Sequence, residues 1–317
     1  MQIPNPKTFN NPANVTRPTA MQLSEPSFWK DYELIDSGDF EKLERFGQYI
    51  VRRPEPQAVW RKSLDETFWA SNAKAFFKKE KGKNSTDGND RGEWVCKKDM
   101  PDQWFIKYQY KEMNLSFRLG LTSFKHVGVF PEQADNWNYI YDAIAGLKTK
   151  DCPVLNLFAY TGGASLAARA AGAEVTHVDS VKQVISWSRE NMEASGLENI
   201  RWVVEDVLKY CRREAKRGKK YAGIILDPPA YGRGPDGEKW ILEENIAELM
   251  SLCAELLREK DAFLILNLYS MGFSSVIAEN LIKDYFPGAK QLEFGELVIP
   301  EQSGKRLPLS VYARFRK

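Results

Sequence analysis

Five consecutive residues, Asp227-Pro228-Pro229-Ala230-Tyr231, form the most specific chemical pattern in the chain. They follow the apolar run YAGIIL, which predicts a carboxylate at the exit of a buried strand. Two prolines stiffen that exit and fix the directions of its carbonyls. Asp227 and the Pro228 carbonyl can accept from an exocyclic amine, and Tyr231 offers a ring for stacking. Together they suit a planar base. A rigid turn without a ligand is the plainer alternative.

A second set of residues lies upstream. The run PVLNLFA (153–159) reads as another buried strand, followed by Tyr160-Thr161-Gly162-Gly163 and a helix. Glycines there allow a sharp turn and a close approach of backbone to ligand, although a tight strand-to-helix turn would use them equally well. Phe158 and Ala159 stand where a nicotinamide-dinucleotide site wants glycine, so GxGxxG is not met. Asp179 ends the next strand, 17 residues after Gly162. From that position a carboxylate can accept from both ribose hydroxyls of an adenosine. Asp206 ends the strand IRWVVED, where an acid can accept from an adenine amino group or simply cap the following helix.

These strand ends need a frame that brings them together. From residue 151 onward short apolar runs alternate with helical segments: 153–159, 174–179, 200–206, 221–227 and 262–269 as strands, with helices between them and a helix at about 274–284. The segment beginning EKWILEEN reads as one long helix. Such alternation predicts a Rossmann-like α/β domain with a mostly parallel sheet, helices on both faces and ligands at the carboxyl ends of the strands. The closing AKQLEFGELVI and LSVYARFRK predict a hairpin that adds an antiparallel strand. Residues 126–317 are assigned to this domain, 21–125 to a small strand-rich α+β domain and 1–20 to an irregular polar arm. Within the small domain, LERFGQYIVRRP predicts one short strand and the segment from Ser63 through AKAFFKK a helix. KGKNSTDGNDRG predicts a loop, and the runs on either side of 99–102 predict antiparallel partners.

Composition narrows the function classes. No apolar run reaches the ~18–20 residues of a membrane span, and residues 1–19 lack the apolar core of a secretory signal. Cys96, Cys152, Cys211 and Cys253 form no CxxC pair and read as reduced cytoplasmic thiols. Only His126 and His177 are available as imidazoles, so no metal centre is expected. The net charge of +2 does not announce a nucleic-acid binder, but 74–83 and 209–220 are basic clusters. Each reads as a solvated helix face or a binding site, and 209–220, if it flanks the crevice with Arg233, as a phosphate track.

NLFAYTGG, HVDS, VVED and DPPAYGRGP stand as motifs I to IV of class I S-adenosylmethionine-dependent methyltransferases, a family this chain resembles. More narrowly, it is similar to the bacterial branch related to the large-subunit ribosomal RNA cytosine-C5 and guanine-N7 methyltransferases. LERFGQYIVRRPEPQAVW, FKHVGVFPEQADNW and GELVIPEQSGKRLPLSVYARF extend that likeness from about residue 21 to the end. The resemblance implies S-adenosyl-L-methionine as cofactor. Asn156, Phe158, Ala159, Tyr160, Thr161 and Gly162 would surround its methionine moiety, with Asp179 and Ser180 at the ribose and Asp206 near the adenine. Lys125, Phe130 and Gln133 would close over it, His126 reading as structural. Asp227, Pro228 and Tyr231 would face the acceptor, Asp227 also bordering the cofactor.

A sulfonium methyl is already a good electrophile, so transfer is chiefly a positioning problem. Two departures bear on the acceptor. No PUA-type RNA-binding domain is evident ahead of the middle domain. The stretch 266–272, where cytosine-C5 relatives place a cysteine, has none. The missing cysteine leads to an expectation of direct transfer to nitrogen without a covalent intermediate, and the resemblance implies an RNA base, in ribosomal RNA, as the acceptor. Alternatives are a protein or small-metabolite methyltransferase, or a non-catalytic cofactor-binding protein.

Overall fold

The computed structural model describes residues 20–26, 28–79, 91–149, 151–269 and 272–317. Nearly all of the expected arm, residues 80–83 of the basic cluster at 74–83 and most of the expected loop at 81–92 lie outside them.

Alternating residues upstream of 125 form strands because every second side chain finds a core. After β1 (Gln22–Ser24) come β2 (Tyr32–Gly38), β3 (Glu41–Phe46), β4 (Tyr49–Pro54), α1 (Glu66–Asn72), β5 (Ala75–Lys79) and β6 (Gly92–Cys96). Strands β2 to β6 form one sheet in sequence order, and β7 (Gln103–Tyr110) and β8 (Met113–Gly120) form a separate hairpin. LERFGQYIVRRP is thus two strands turning at Gly47, whose φ of 64° is left-handed. The helix expected from Ser63 is confined to Glu66–Asn72, where Asp65 caps it by accepting from the Phe68 N–H. Ala75–Lys79 is a strand because Ala75 and Phe77 alternate into the core. Strand β6 pairs with β5 rather than with β7: the turn closed by Met100 N–H to Lys97 O, together with Pro101, sends the chain to a new layer.

A 3₁₀ turn (Pro131–Gln133) leads into α2 (Ala134–Ala145), a helix absent from the sequence reading. Then follow β9 (Pro153–Leu157), α3 (Gly163–Ala170), β10 (Glu174–Asp179), α4 (Lys182–Ala194), β11 (Ile200–Val204), α5 (Val207–Lys216) and β12 (Gly223–Leu226). Next are β13 (Tyr231–Arg233), β14 (Lys239–Ile241), α6 (Leu242–Leu256), β15 (Phe263–Leu268), α7 (Ser275–Tyr285), β16 (Lys290–Pro300) and β17 (Arg306–Arg316). The main sheet runs β1-β16-β17-β15-β12-β9-β10-β11, with β17 antiparallel to both neighbours and every other pairing parallel. The long helix expected from EKWILEEN starts only at Leu242. Lys239–Ile241 pairs instead with Tyr231–Arg233 in a small hairpin. β1 joins the edge of the main sheet through β16. Trp29, Phe46, Tyr108 and Phe117 share one apolar cluster with Trp137, Val154 and Leu166, so packing is continuous across residue 125.

Candidate active site

The order of β9 and β12 opens a crevice at their carboxyl ends, where successive connections leave on opposite sides. A cleft lies there, walled by the turn after β9, by α2 and by Asp227 and Asn267. Its floor is the turn after β9. Phe158 (φ 55°), Tyr160 (φ 47°) and Gly162 (φ 93°) are all left-handed, which coils the turn tightly against the start of α3. A Cβ on Gly163 would stand 2.6 Å from the Trp137 ring, so only glycine lets α2 pack here. Asp179 fastens the turn from the neighbouring strand. Its carboxylate accepts from Tyr160 N–H and Val181 N–H, both at 2.9 Å. Burial nevertheless raises its pKa. Beneath the turn, Asn156 donates to Ser165 Oγ at 2.8 Å, and that hydroxyl meets His177 Nδ1 at 3.0 Å. Burial pushes His177 down to about 3, so this imidazole is a neutral core residue at physiological pH.

The fourth-strand side is built differently. Asp227 is half-buried at the mouth of β12 and accepts no hydrogen bond from the described residues. Burial, with a smaller contribution from the negative charge of Glu132, pushes it up to about 7. Its sequence explains the difference. At Asp179 the second residue onward supplies an N–H, whereas at Asp227 the next two residues are prolines with none. The loop is fixed instead through carbonyls: Trp240 Nε1 donates to Pro229 O at 2.7 Å and Leu242 N–H to Ala230 O at 3.0 Å. Phe158 packs against the Trp240 ring at 4.7 Å, joining the loops after β9 and β12. Tyr231 is 41% exposed at the start of the hairpin.

The segment before α2 forms the lid side. Thr161 donates to Gly128 O at 2.7 Å, and Phe130 packs on Tyr160 at 5.2 Å. Gln133 Oε1 accepts from Asn136 at 3.0 Å and Asn267 at 3.1 Å, making an amide cluster in the cleft wall. Nine expected residues line the cleft: Phe130, Gln133, Asn156, Phe158, Ala159, Tyr160, Thr161, Gly162 and Asp227. Asp179 stands one layer behind it, followed by the half-buried Ser180. Asp206 caps α5, accepting from Lys209 N–H at 2.9 Å. Pro228 and Tyr231, which follow Asp227 in the same loop, are not among the residues that line it. Lys125 and His126 sit in an adjacent charged recess with Arg53 and Glu132, where Arg53 donates to Lys125 O at 3.2 Å. Burial raises Glu132 to about 7 and lowers His126 well below the usual imidazole range.

The sequence reading missed Asn136, Trp137 and Asn267 in the cleft wall. Asn267 carried a signal: LNL occurs in both β9 and β15, and an amide inside a run buried on both faces needs an explanation. The basic cluster also requires correction. Helix α5 runs back along the sheet, and its cations near the carboxyl ends of the strands are already paired, Lys209 with Asp236 at 2.8 Å and Arg213 with Glu205. The ten-residue helix carries Lys216 and the cations that follow it ~15 Å toward the opposite end, and among the described residues no continuous track flanks the crevice.

The family profile of S-adenosylmethionine-dependent methyltransferases matches residues 42–283. The chain belongs to this family. A crystal structure of a SAM-dependent methyltransferase from Agrobacterium tumefaciens superposes with a TM-score of 0.83 at 39% identity, covering 93% of each chain. Ribosomal RNA large subunit methyltransferase K/L of Shewanella frigidimarina is 30% identical over 160 residues, which is 49% of this chain and 22% of that protein. Ribosomal RNA large subunit methyltransferase I of Tolumonas auensis is 35% identical over 129 residues, 40% of this chain and 28% of that protein. The matches therefore span about a quarter of these curated relatives. The methyltransferase cleft fits S-adenosylmethionine: the coiled turn at Gly162 exposes backbone, Phe130, Phe158 and Tyr160 supply aromatic faces, and the amide cluster supplies polar anchors.

Proposed function

We propose that this methyltransferase modifies a base nitrogen of RNA, in ribosomal RNA, by direct in-line transfer. The observation that carries this reading is the Asp227 carboxylate, free of local donors and held up to about 7 at the cleft, in a cleft that no cysteine lines. Cys152 lies before β9 at the far end of the sheet, with burial pushing its thiol up to about 11. Cys211 and Cys253 are buried on α5 and α6, and Cys96 is on β6. A covalent pyrimidine adduct would need a thiolate in the cleft. The names of the Shewanella and Tolumonas relatives support RNA as the acceptor.

In this reading Asn156 to Gly162 surround the methionine moiety, Asp179 and Ser180 border the ribose and Asp206 borders the adenine. Phe130 and Gln133 close the other wall, and Lys125 anchors that segment behind them. The cofactor supplies an electrophilic methyl. When bound, its methyl would pass to the acceptor lone pair, and the C–S bonding pair would leave with the thioether. Asp227 and the Pro228 carbonyl orient the acceptor amine, and an N–H proton passes to Asp227. Tyr231 stacks on the base, while the strand-rich part before residue 125 presents the surrounding RNA.

Transfer of labelled methyl to RNA from cells lacking the protein tests the reading. The expected result is label in one ribosomal RNA species, recovered as an N-methylated base and lost with Asp227→Ala. Label confined to protein or small molecules overturns it.

A further inference from the structure

The main sheet has a second open end. At the amino ends of β9, β10 and β11 an open groove is lined by Arg169, Arg201, Lys219 and Lys220, with Glu174 and Glu214. None of these four cations has a carboxylate partner among the described residues. Arg169 donates to the carbonyls of Glu198 and Ala173 at 2.8 and 3.0 Å, and Lys220 to that of Glu255 at 2.5 Å. Arg201 and Lys219 are exposed. Glu214 is buried and already neutralised by Arg217 at 2.9 Å. Four positive charges therefore line the groove beside one exposed carboxylate, that of Glu174.

Cations at helix C-termini offset the helix dipole, which accounts for Arg169 and the tail of α5. It does not account for Arg201, which projects from β11 opposite Thr176 of β10. The groove offers no exposed aromatic ring, since Tyr221 is buried. Its chemistry is therefore that of point charges for phosphates rather than of a stacking platform for bases. Strands of five or six residues separate it from the cleft by ~15–20 Å. That separation suits phosphates several nucleotides from the methylated base.

We infer that this groove binds the phosphate backbone of the acceptor RNA remote from the reacting base, an inference that rests on the RNA reading above. It holds the strand without reading sequence. Its loss weakens RNA capture and leaves the chemical step intact.

The test compares wild type with Arg201→Glu/Lys219→Glu/Lys220→Glu. The measurements are filter binding of protein-free ribosomal RNA across salt concentrations, and kcat and KM for methyl transfer to that RNA. The triple variant is expected to bind ~10- to 100-fold more weakly, with a salt slope smaller by about 2. KM for RNA should rise accordingly, with kcat and KM for S-adenosylmethionine unchanged. Arg201→Lys keeps the charge and should bind like wild type, and the milder Arg201→Gln/Lys219→Gln should fall between if the triple variant misfolds. Wild-type RNA methylation with unaltered affinity, slope and KM in the folded variants overturns the groove and leaves the RNA reading standing. So does binding in which polyglutamate, but not RNA, depends on these cations. Absence of RNA methylation by wild type removes the RNA reading, and the groove inference falls with it.

Discussion

The two sides of the methyl-transfer cleft use the same residue at equivalent strand ends for opposite purposes. Asp179, at the end of β10, accepts from two backbone N–H groups and so fastens the turn after β9. Asp227, at the end of β12, accepts none from the described residues, because the prolines that follow remove the local donors. A buried carboxylate without donors is held toward its neutral form and can exchange a proton near neutral pH. The difference teaches that whether such a carboxylate is satisfied is set by the two residues after the aspartate as much as by the aspartate itself.

Neutralising each carboxylate should separate the roles. Asp227→Asn is expected to lower kcat ~10²- to 10⁴-fold with little change in cofactor affinity, the usual range for a lost general base. Asp179→Asn should instead weaken S-adenosylmethionine binding ~10-fold or more through a loosened turn, with a smaller loss of kcat. Single-turnover rates and calorimetric titration of the cofactor read the two effects. Equal effects of both variants on kcat would erase the distinction.

The contrast also predicts opposite consequences along the pH axis. Wild-type kcat should rise as Asp227 ionises, through an apparent pKa of about 7. Pro229→Ala restores an N–H two residues after Asp227, as Val181 provides for Asp179. It should shift that limb to lower pH and reduce the rate severalfold at pH 8 by making the carboxylate a weaker base. An unshifted limb would mean that desolvation alone, not the missing donor, controls Asp227.

The parts of this contrast differ in how far they could be read from sequence. Apolar runs made β9, β12 and β15 legible, and the alternation of strands with helices did the same for β10, and with them the positions of Asp179 and Asp227. Which aspartate would be satisfied was visible in Val181 against Pro229, but only once backbone donors were counted. Helix α2 was hidden because WNYIYDAI mixes polar and aromatic residues on faces that are both largely buried. The strand Ala75–Lys79 was hidden because its alanine and lysines suit a helix, and cross-strand pairing with β6 overrode that preference. The basic segment was legible as composition, yet the end of the sheet it serves depends on the direction of α5, which is a property of topology.

Stability should carry a smaller trace of the same asymmetry. The folded-state pKa of Asp227 lies above its unfolded value, so the unfolded chain binds fewer protons between about pH 4 and 7. Its ionisation therefore costs native stability as pH rises through that window, and the cost remains above it. Discounted for partial exposure, this is on the order of 2 kcal/mol. Asp227→Asn should accordingly gain stability over wild type between pH 5 and pH 8, measured by urea unfolding at both values. An advantage independent of pH would assign the effect to packing.

The smallest expected effect concerns the indole that holds the proline loop. Trp240→Phe keeps a ring against Phe158 but removes the donor to the Pro229 carbonyl. One neutral hydrogen bond contributes about 1 kcal/mol, so kcat should fall only ~3- to 10-fold, with cofactor affinity unchanged because the turn after β9 keeps its own anchor at Asp179. A parallel fall in cofactor affinity would show that the Phe158–Trp240 contact couples the two sides. In that case the cleft would respond as one unit rather than as a fastened wall facing a reactive one.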